Sequence, residues 1–140
     1  MKLHFHYIAC MAIAFCTASS QAQDVDTPWQ LRIMDLNHQV KVDATVRFTK
    51  EKATESCIGG QWKRVVVERK INADEKFFPL NELLAYDVER GELTLGRTQV
   101  CDGYRFLTGK LRPRMISGAY KIVGPGYSEK LGYFSLNKTQ

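Results

Sequence analysis

Reactive side chains are scarce in this chain, and more than half of them crowd into its opening. Cys10, Cys16, His4 and His6 all lie in MKLHFHYIACMAIAFC, which leaves Cys57, Cys101 and His38 for the remainder of the 140 residues. A single histidine gives acid–base or nucleophilic chemistry little to work with. Asp35 and His38 fit one turn, but no G-x-S-x-G nucleophile motif accompanies them, so His38 reads as a solvated turn residue. One histidine and two cysteines that pair with each other leave only carboxylates as metal ligands, so no metal and no cofactor are expected. Gly59-Gly60 and Gly124-Pro125-Gly126 read as turns, not phosphate cradles. A carboxylate pair for glycosidic cleavage needs only proximity in space, and nothing in the sequence marks one. The expectation is a protein that binds and does not catalyse.

Cationic side chains offer more. Lys63, Arg64, Arg69 and Lys70 flank one apolar run, and Lys110, Arg112, Arg114 and Lys121 surround one turn. The second group is the candidate docking patch, for an acidic protein or an anionic envelope polymer, against the plainer reading of a solvated rim. The net charge of +5 is mild and its cations recur along the chain, which does not suit a nucleic-acid binder.

The compartment follows from the N-terminus. Lys2 precedes an apolar run from Tyr7 to Cys16, and Ser20 and Ala22 supply small residues at a cleavage site, the order of a secretory signal peptide over residues 1–22. The run is too short to span a bilayer, which takes ~20 apolar residues. A periplasmic or secreted protein is expected, not embedded in the membrane, and its partner would be another envelope or secreted protein. Removing residues 1–22 leaves 118 of the 140 residues, enough for one domain with a real core. It also leaves an even cysteine pair in an oxidising setting, so Cys57 and Cys101 are expected to form a disulfide. Their separation of 44 residues corresponds to about 4 kcal/mol of stabilisation in the chain-entropy account.

Apolar residues recur with a period of two, and no amphipathic helix is evident. Residues 23–28 read as a flexible leader and 29–140 as the domain. Trp29 to Leu36 alternates, and Val40 to Thr49 alternates best, with Val40, Val42, Ala44, Val46 and Phe48 on one face. Trp62 to Lys70 is a β-branched run, and FFPLNELL (77–84) is ambiguous between a helical turn and a strand lead. Arg90-Gly91 and Asp102-Gly103 are two-residue hairpin signals. The first sets Glu89 opposite Glu92, Val88 opposite Leu93 and Tyr86 opposite Leu95, which puts Leu84, Tyr86, Val88, Leu93 and Leu95 on one apolar face. Continuing that phase turns Arg97 and Gln99 inward. Either a bulge at Gly96 reverses the phase, or Arg97 and Gln99, with Tyr104 beyond the turn, line a polar interior and hold a small molecule. Tyr104 to Leu111, Met115 to Val123 and Leu131 to Leu136 complete about eight strands. Gly96, Gly109, Gly118 and Gly132 each sit in one of the last four strands, where a strand coils sharply at a barrel corner.

The expected fold is all-β: a small antiparallel up-and-down β-barrel of about eight strands with one disulfide. Trp29 opening the first strand, with Gly118, Tyr120, Gly132 and Phe134 in the closing ones, resembles small exported barrels of the lipocalin or avidin type. That resemblance implies a closed barrel. It carries over no binding residue, and the glycine that lipocalins place two before the tryptophan is Thr27 here. Two functions are carried forward: an inhibitor or immunity-type protein that binds another protein, and a carrier with a small ligand inside the barrel.

Overall fold

The structure, a computed structural model, describes residues 26–53, 56–99, 101 and 103–139. The expected signal peptide, the first part of the leader, Val100 and Asp102 lie outside the described residues. Eight strands follow in chain order: β1 (Pro28–Asp35), β2 (Val40–Lys52), β3 (Lys63–Ala73), β4 (Leu84–Glu89), β5 (Glu92–Arg97), β6 (Tyr104–Lys110), β7 (Met115–Gly124) and β8 (Tyr127–Lys138). Each pairs antiparallel with the next, and β8 returns to β1, so the sheet closes into the expected barrel. The β4–β5 and β6–β7 turns lie at one end, here the turn end. The β1–β2, β3–β4, β5–β6 and β7–β8 connections lie at the other, the plug end.

The period-two pattern explains the wall. On β2, Val42, Ala44, Val46 and Phe48 are fully buried, while Lys41, Asp43, Thr45 and Arg47 alternate with them on the outside; Val40, expected on the buried face, is exposed because it lies at the strand end. Apolar inside and polar outside is the reverse of a membrane-spanning barrel. Among the described residues no helix is long and apolar enough to cross a membrane. Inside, Trp29, Phe48 and Tyr86 pack edge to face at 6.1 and 4.8 Å. The Tyr86 hydroxyl donates to the Thr49 carbonyl at 2.9 Å, which satisfies a polar group in the core. The closing strands approach so tightly that side chains are excluded. A Cβ on Gly132 would lie 1.9 Å from the Met34 carbonyl oxygen, and one on Gly118 2.0 Å from that of Thr108.

The Arg90-Gly91 turn forms as expected, with both residues at positive φ (52° and 76°), the geometry whose twist matches the flanking strands. Its register is the expected one, Glu89 to Glu92 through Tyr86 to Leu95. Leu84, Tyr86, Leu93 and Leu95 are buried, and Val88 at the strand end is 37% exposed.

The Gly96 bulge does not occur. Pairing runs without a shift from Leu93 through Gly96 to Arg97. The phase reverses later, in the six residues between β5 and β6. The register of the described residues, Gly96 opposite Phe106, is not the one that a two-residue loop at Asp102-Gly103 would set. The Cys57–Cys101 disulfide and a Cys57 N–H bond to the Thr98 carbonyl (2.9 Å) draw this connection aside. As a result Leu107 faces the core, with Arg105 in the same phase, while Phe106 lies opposite Gly96 on the outer wall with Tyr104 in phase.

Residues 77–84 form neither a helix nor a long strand. β3 and β4 pair only over Lys63–Val65 and Leu84–Tyr86, so the rest of β3 diverges from β4. The connection between them turns inward and fills the opening with Phe78 and Leu80, both buried in the main core. This segment, residues 74–83, is the plug.

Candidate functional site

Three places bring together the residues singled out above: the plug, the outer wall under the disulfide, and the face formed by β6–β8. At the plug, Arg97 points inward beside Leu84. Its guanidinium Nη1 donates to both Glu82 carboxylate oxygens, at 2.7 and 2.8 Å, while its Nε is buried without a partner. Arg105 donates to the Lys76 and Phe77 carbonyls at 2.7 and 3.0 Å. The Tyr120 hydroxyl also donates to the Phe77 carbonyl, and its ring meets Phe77 and Phe78 edge-on at 5.1 and 5.6 Å. Burial raises the Tyr120 pKa, and the nearby Arg105 charge offsets only part of that rise. Lys70 adds an ion pair to Glu75 at 2.8 Å and a hydrogen bond to Asn81. Two arginines, a tyrosine and a lysine thus hold one short segment in the barrel mouth.

The three residues offered as ligand contacts do not converge. Arg97 is inside and engaged by the plug. Gln99 is exposed beyond the end of β5. Tyr104 lies on the outer wall, its ring parallel to that of Phe106 at 5.5 Å. A concavity of 350 Å³ lies outside the barrel, beside the β4–β5 turn, lined by Glu89, Arg90, Glu92 and Thr94.

Ala53 and residues 56–62 form a strap across the outside of β4 and β5. Ala53 N–H donates to the Trp62 carbonyl at 2.9 Å, closing its base, and the Cys57–Cys101 bond ties its far side to the β5–β6 connection. Trp62 stacks on Phe106 at 5.8 Å and buries Ala85, an outward position that would otherwise face water. Asp35 and His38 serve their turn. Asp35 accepts the Asn37 and Gln39 N–H groups at 2.9 and 3.0 Å, and the Gln39 bond holds its pKa below the ordinary carboxylate value. His38 stacks on Tyr133 at 4.4 Å. Among the described residues no group of three or more His, Cys, Asp and Glu is gathered.

The four candidate docking cations split. Lys110, Arg112 and Arg114 share the β6–β7 turn and are exposed. Lys121 is seven residues further along, about 23 Å at strand rise, on the outer face opposite Phe106 and Lys130. What the residue-by-residue reading missed is the balance of the whole stretch. Residues 103–140 contain seven Lys and Arg against one Glu, +6, while residues 23–102 contain twelve against fourteen acids. Counting acids as well as cations by segment would have revealed it.

Folding turns that imbalance into two unlike surfaces. On β1–β5 most of the strand cations find carboxylates: Arg32 with Asp43 (3.1 Å), Lys41 with Asp35 (3.4 Å), Arg47 with Glu68 (2.7 Å), Lys70 with Glu75 (2.8 Å) and Arg97 with Glu82 (2.7 Å), while Lys50, Lys52, Lys63 and Arg69 do not among the described residues. On β6–β8, Lys110, Arg112, Arg114, Lys121 and Lys130 form no ion pair with a carboxylate among the described residues. Lys110 does lie opposite Glu92 in register. Three consecutive strands therefore present cations with almost no internal neutralisation. No family model, no curated protein and no solved structure matches the chain, so its function has to be argued from this geometry.

Proposed function

We propose that this is an exported, non-catalytic binding protein that docks on another envelope or secreted protein through its basic β6–β8 face, in the manner of an inhibitor or immunity protein. The observation that supports this reading is the charge segregation, +6 over residues 103–140 beside a slightly acidic remainder. A face of one sign steers an acidic partner into contact and disfavours wrong ones. The scaffold suits the task. A closed barrel with a disulfide loses little conformational freedom on binding, so less of the contact energy is spent on ordering.

The β6–β7 turn is the part of this face best shaped to enter a partner. Arg112 and Arg114 are exposed on either side of Pro113, whose ring fixes the local backbone. The turn is anchored at both sides by Leu111 N–H to the Gly91 carbonyl (2.8 Å) and Lys138 N–H to the Arg114 carbonyl (3.0 Å). Guanidinium forks on a stiff turn match carboxylates two bonds at a time. A ligand carried inside the barrel would have to displace Phe78 and Leu80, which occupy the core.

The test is cross-linked co-purification from the native compartment with three chains: the natural one, Arg112→Glu/Arg114→Glu, and Lys63→Glu/Arg69→Glu as a control of equal charge. A partner recovered by the natural chain and the control, and lost with the turn variant, supports docking. Recovery of no protein by any chain refutes it.

A further inference from the structure

Lys121 on β7 and Lys130 on β8 stand opposite each other within the longest hairpin ladder of the barrel, next to the register shift between Tyr120 and Lys121. Like charges face to face across a strand pair destabilise a sheet. Two other such pairs occur, and both lie at strand ends where water screens them. Lys52 faces Lys63, with the Glu51–Arg64 ion pair alongside, and Glu89 faces Glu92, with Arg90 on Glu89 at 3.6 Å. Lys130 is exposed to water, but Lys121 is half-buried and no ion pair stands alongside the two. Among the described residues neither pairs with a carboxylate, and the nearest one in sequence, Glu129, lies opposite Ile122 in register.

The flanks of the pair are aromatic. Phe106 lies beside Lys121 in register, itself stacked between Trp62 (5.8 Å) and Tyr104 (5.5 Å). On the other side the Lys130 ammonium sits 3.7 Å from the centre of the Tyr133 ring, and His38 stacks on that same ring at 4.4 Å. Lys121, Phe106 and Tyr133 are each half-buried, and Lys130 is exposed. Two cations flanked by aromatic rings, one of them half-buried, attract an anion more strongly than the same cations on an open rim.

Resting on the docking function proposed above, we infer that Lys121 and Lys130 form its carboxylate hot spot, filled by an Asp or Glu side chain of the partner whose neighbours pack on Phe106 and Tyr133. Binding then supplies the counter-charge that the free barrel lacks. The free protein keeps an unfavourable pair because the complex uses it.

The experiment uses purified full-length mature chain, with poly-L-glutamate as the acidic polypeptide probe and inorganic phosphate as the second arm. Lys121→Met and Lys130→Met keep the aliphatic stems, and Lys63→Met removes a lysine from the like-charge pair at a strand end. In an amide NMR titration, shifts are expected at residues 120–122 and 130–133 and at His38. Either hot-spot variant should weaken poly-L-glutamate binding about tenfold while the control changes it less than about twofold. Both hot-spot variants should melt no lower than the natural chain, and added salt should raise the melting temperature of the natural chain more than theirs. Equal loss in all three variants, shifts elsewhere, phosphate binding as tightly as poly-L-glutamate, or a lower melting temperature of either hot-spot variant would overturn the assignment. Silent Lys121 and Lys130 variants, with binding lost in Arg112→Glu/Arg114→Glu, would remove this hot spot and leave the docking face standing.

Discussion

Arg97 and Gln99 were the polar residues whose inward direction the sequence raised as a question; Arg97 does point inward, and its role depends on what it meets. Its guanidinium is engaged by Glu82, yet its Nε is buried without a partner. That asymmetry yields an ordering of variants. Glu82→Gln leaves a largely buried guanidinium without its counter-charge and should cost about 1 kcal/mol, kept low because Glu82 is half exposed. Arg97→Met removes the charge itself and fills the space with an apolar stem, so it should cost less, and the double variant should match Arg97→Met alone. Urea unfolding of the three chains checks this. A larger loss for Arg97→Met would mean that its packing and not its charge dominates. The inward phase of Arg97 was readable by continuing the Arg90-Gly91 register. The identity of its partner was not, because Glu82 comes from a segment with no periodicity of its own.

Elements with a steady period of two were legible: β1, β2, β4 and β5 lie within a few residues of where alternation places them. What alternation cannot see is a segment whose apolar residues serve the barrel end and not its wall. FFPLNELL looked ambiguous because Phe78 and Leu80 fill a mouth, a position with no strand register. The β5–β6 connection was misjudged for a related reason. Asp102-Gly103 is a strong hairpin dipeptide, but a disulfide to a loop from the opposite end of the barrel overrides local turn preference. That bond fastens the strap. Cys57→Ala/Cys101→Ala should lower stability by about 4 kcal/mol or somewhat less and shift Trp62 fluorescence to the red as the strap lifts from Phe106. An unchanged emission maximum would show that Trp62 holds without the bond. The plug-end connections also carry a pH signature. Asp35 is lowered chiefly by the Gln39 N–H. For Glu75 burial acts upward, but the bonds from Lys70 and the Asn81 N–H outweigh it and the net shift is downward. Carboxylates lowered in the folded state stabilise it above their unfolded values, near pH 4, and that stabilisation is lost as pH falls through the folded values. Acidification below about pH 4 should therefore speed amide exchange first at Asn37, Gln39 and Asn81. Uniform acceleration across the barrel would contradict a local origin.

At the scale of the whole molecule, a barrel whose first five strands pair most of their cations and whose last three pair few is built as if its missing counter-charges belong elsewhere. The fold class followed from strand number, strand glycines and one cysteine pair. The docking face did not, because the cations of β6–β8 gain meaning only from the acids absent around them and from the closure that sets Lys121 against Lys130. The account stands or falls on where a partner protects the barrel. Amide hydrogen exchange of residues 23–140, alone and with a partner recovered in the proposed co-purification, measures this directly. The account predicts slowed exchange along residues 104–138, greatest at the Arg112–Arg114 turn and around Lys121 and Lys130, with the Lys63–Lys70 stretch unchanged. Protection centred on the plug or on β1–β3, with β6–β8 unaffected, would contradict it.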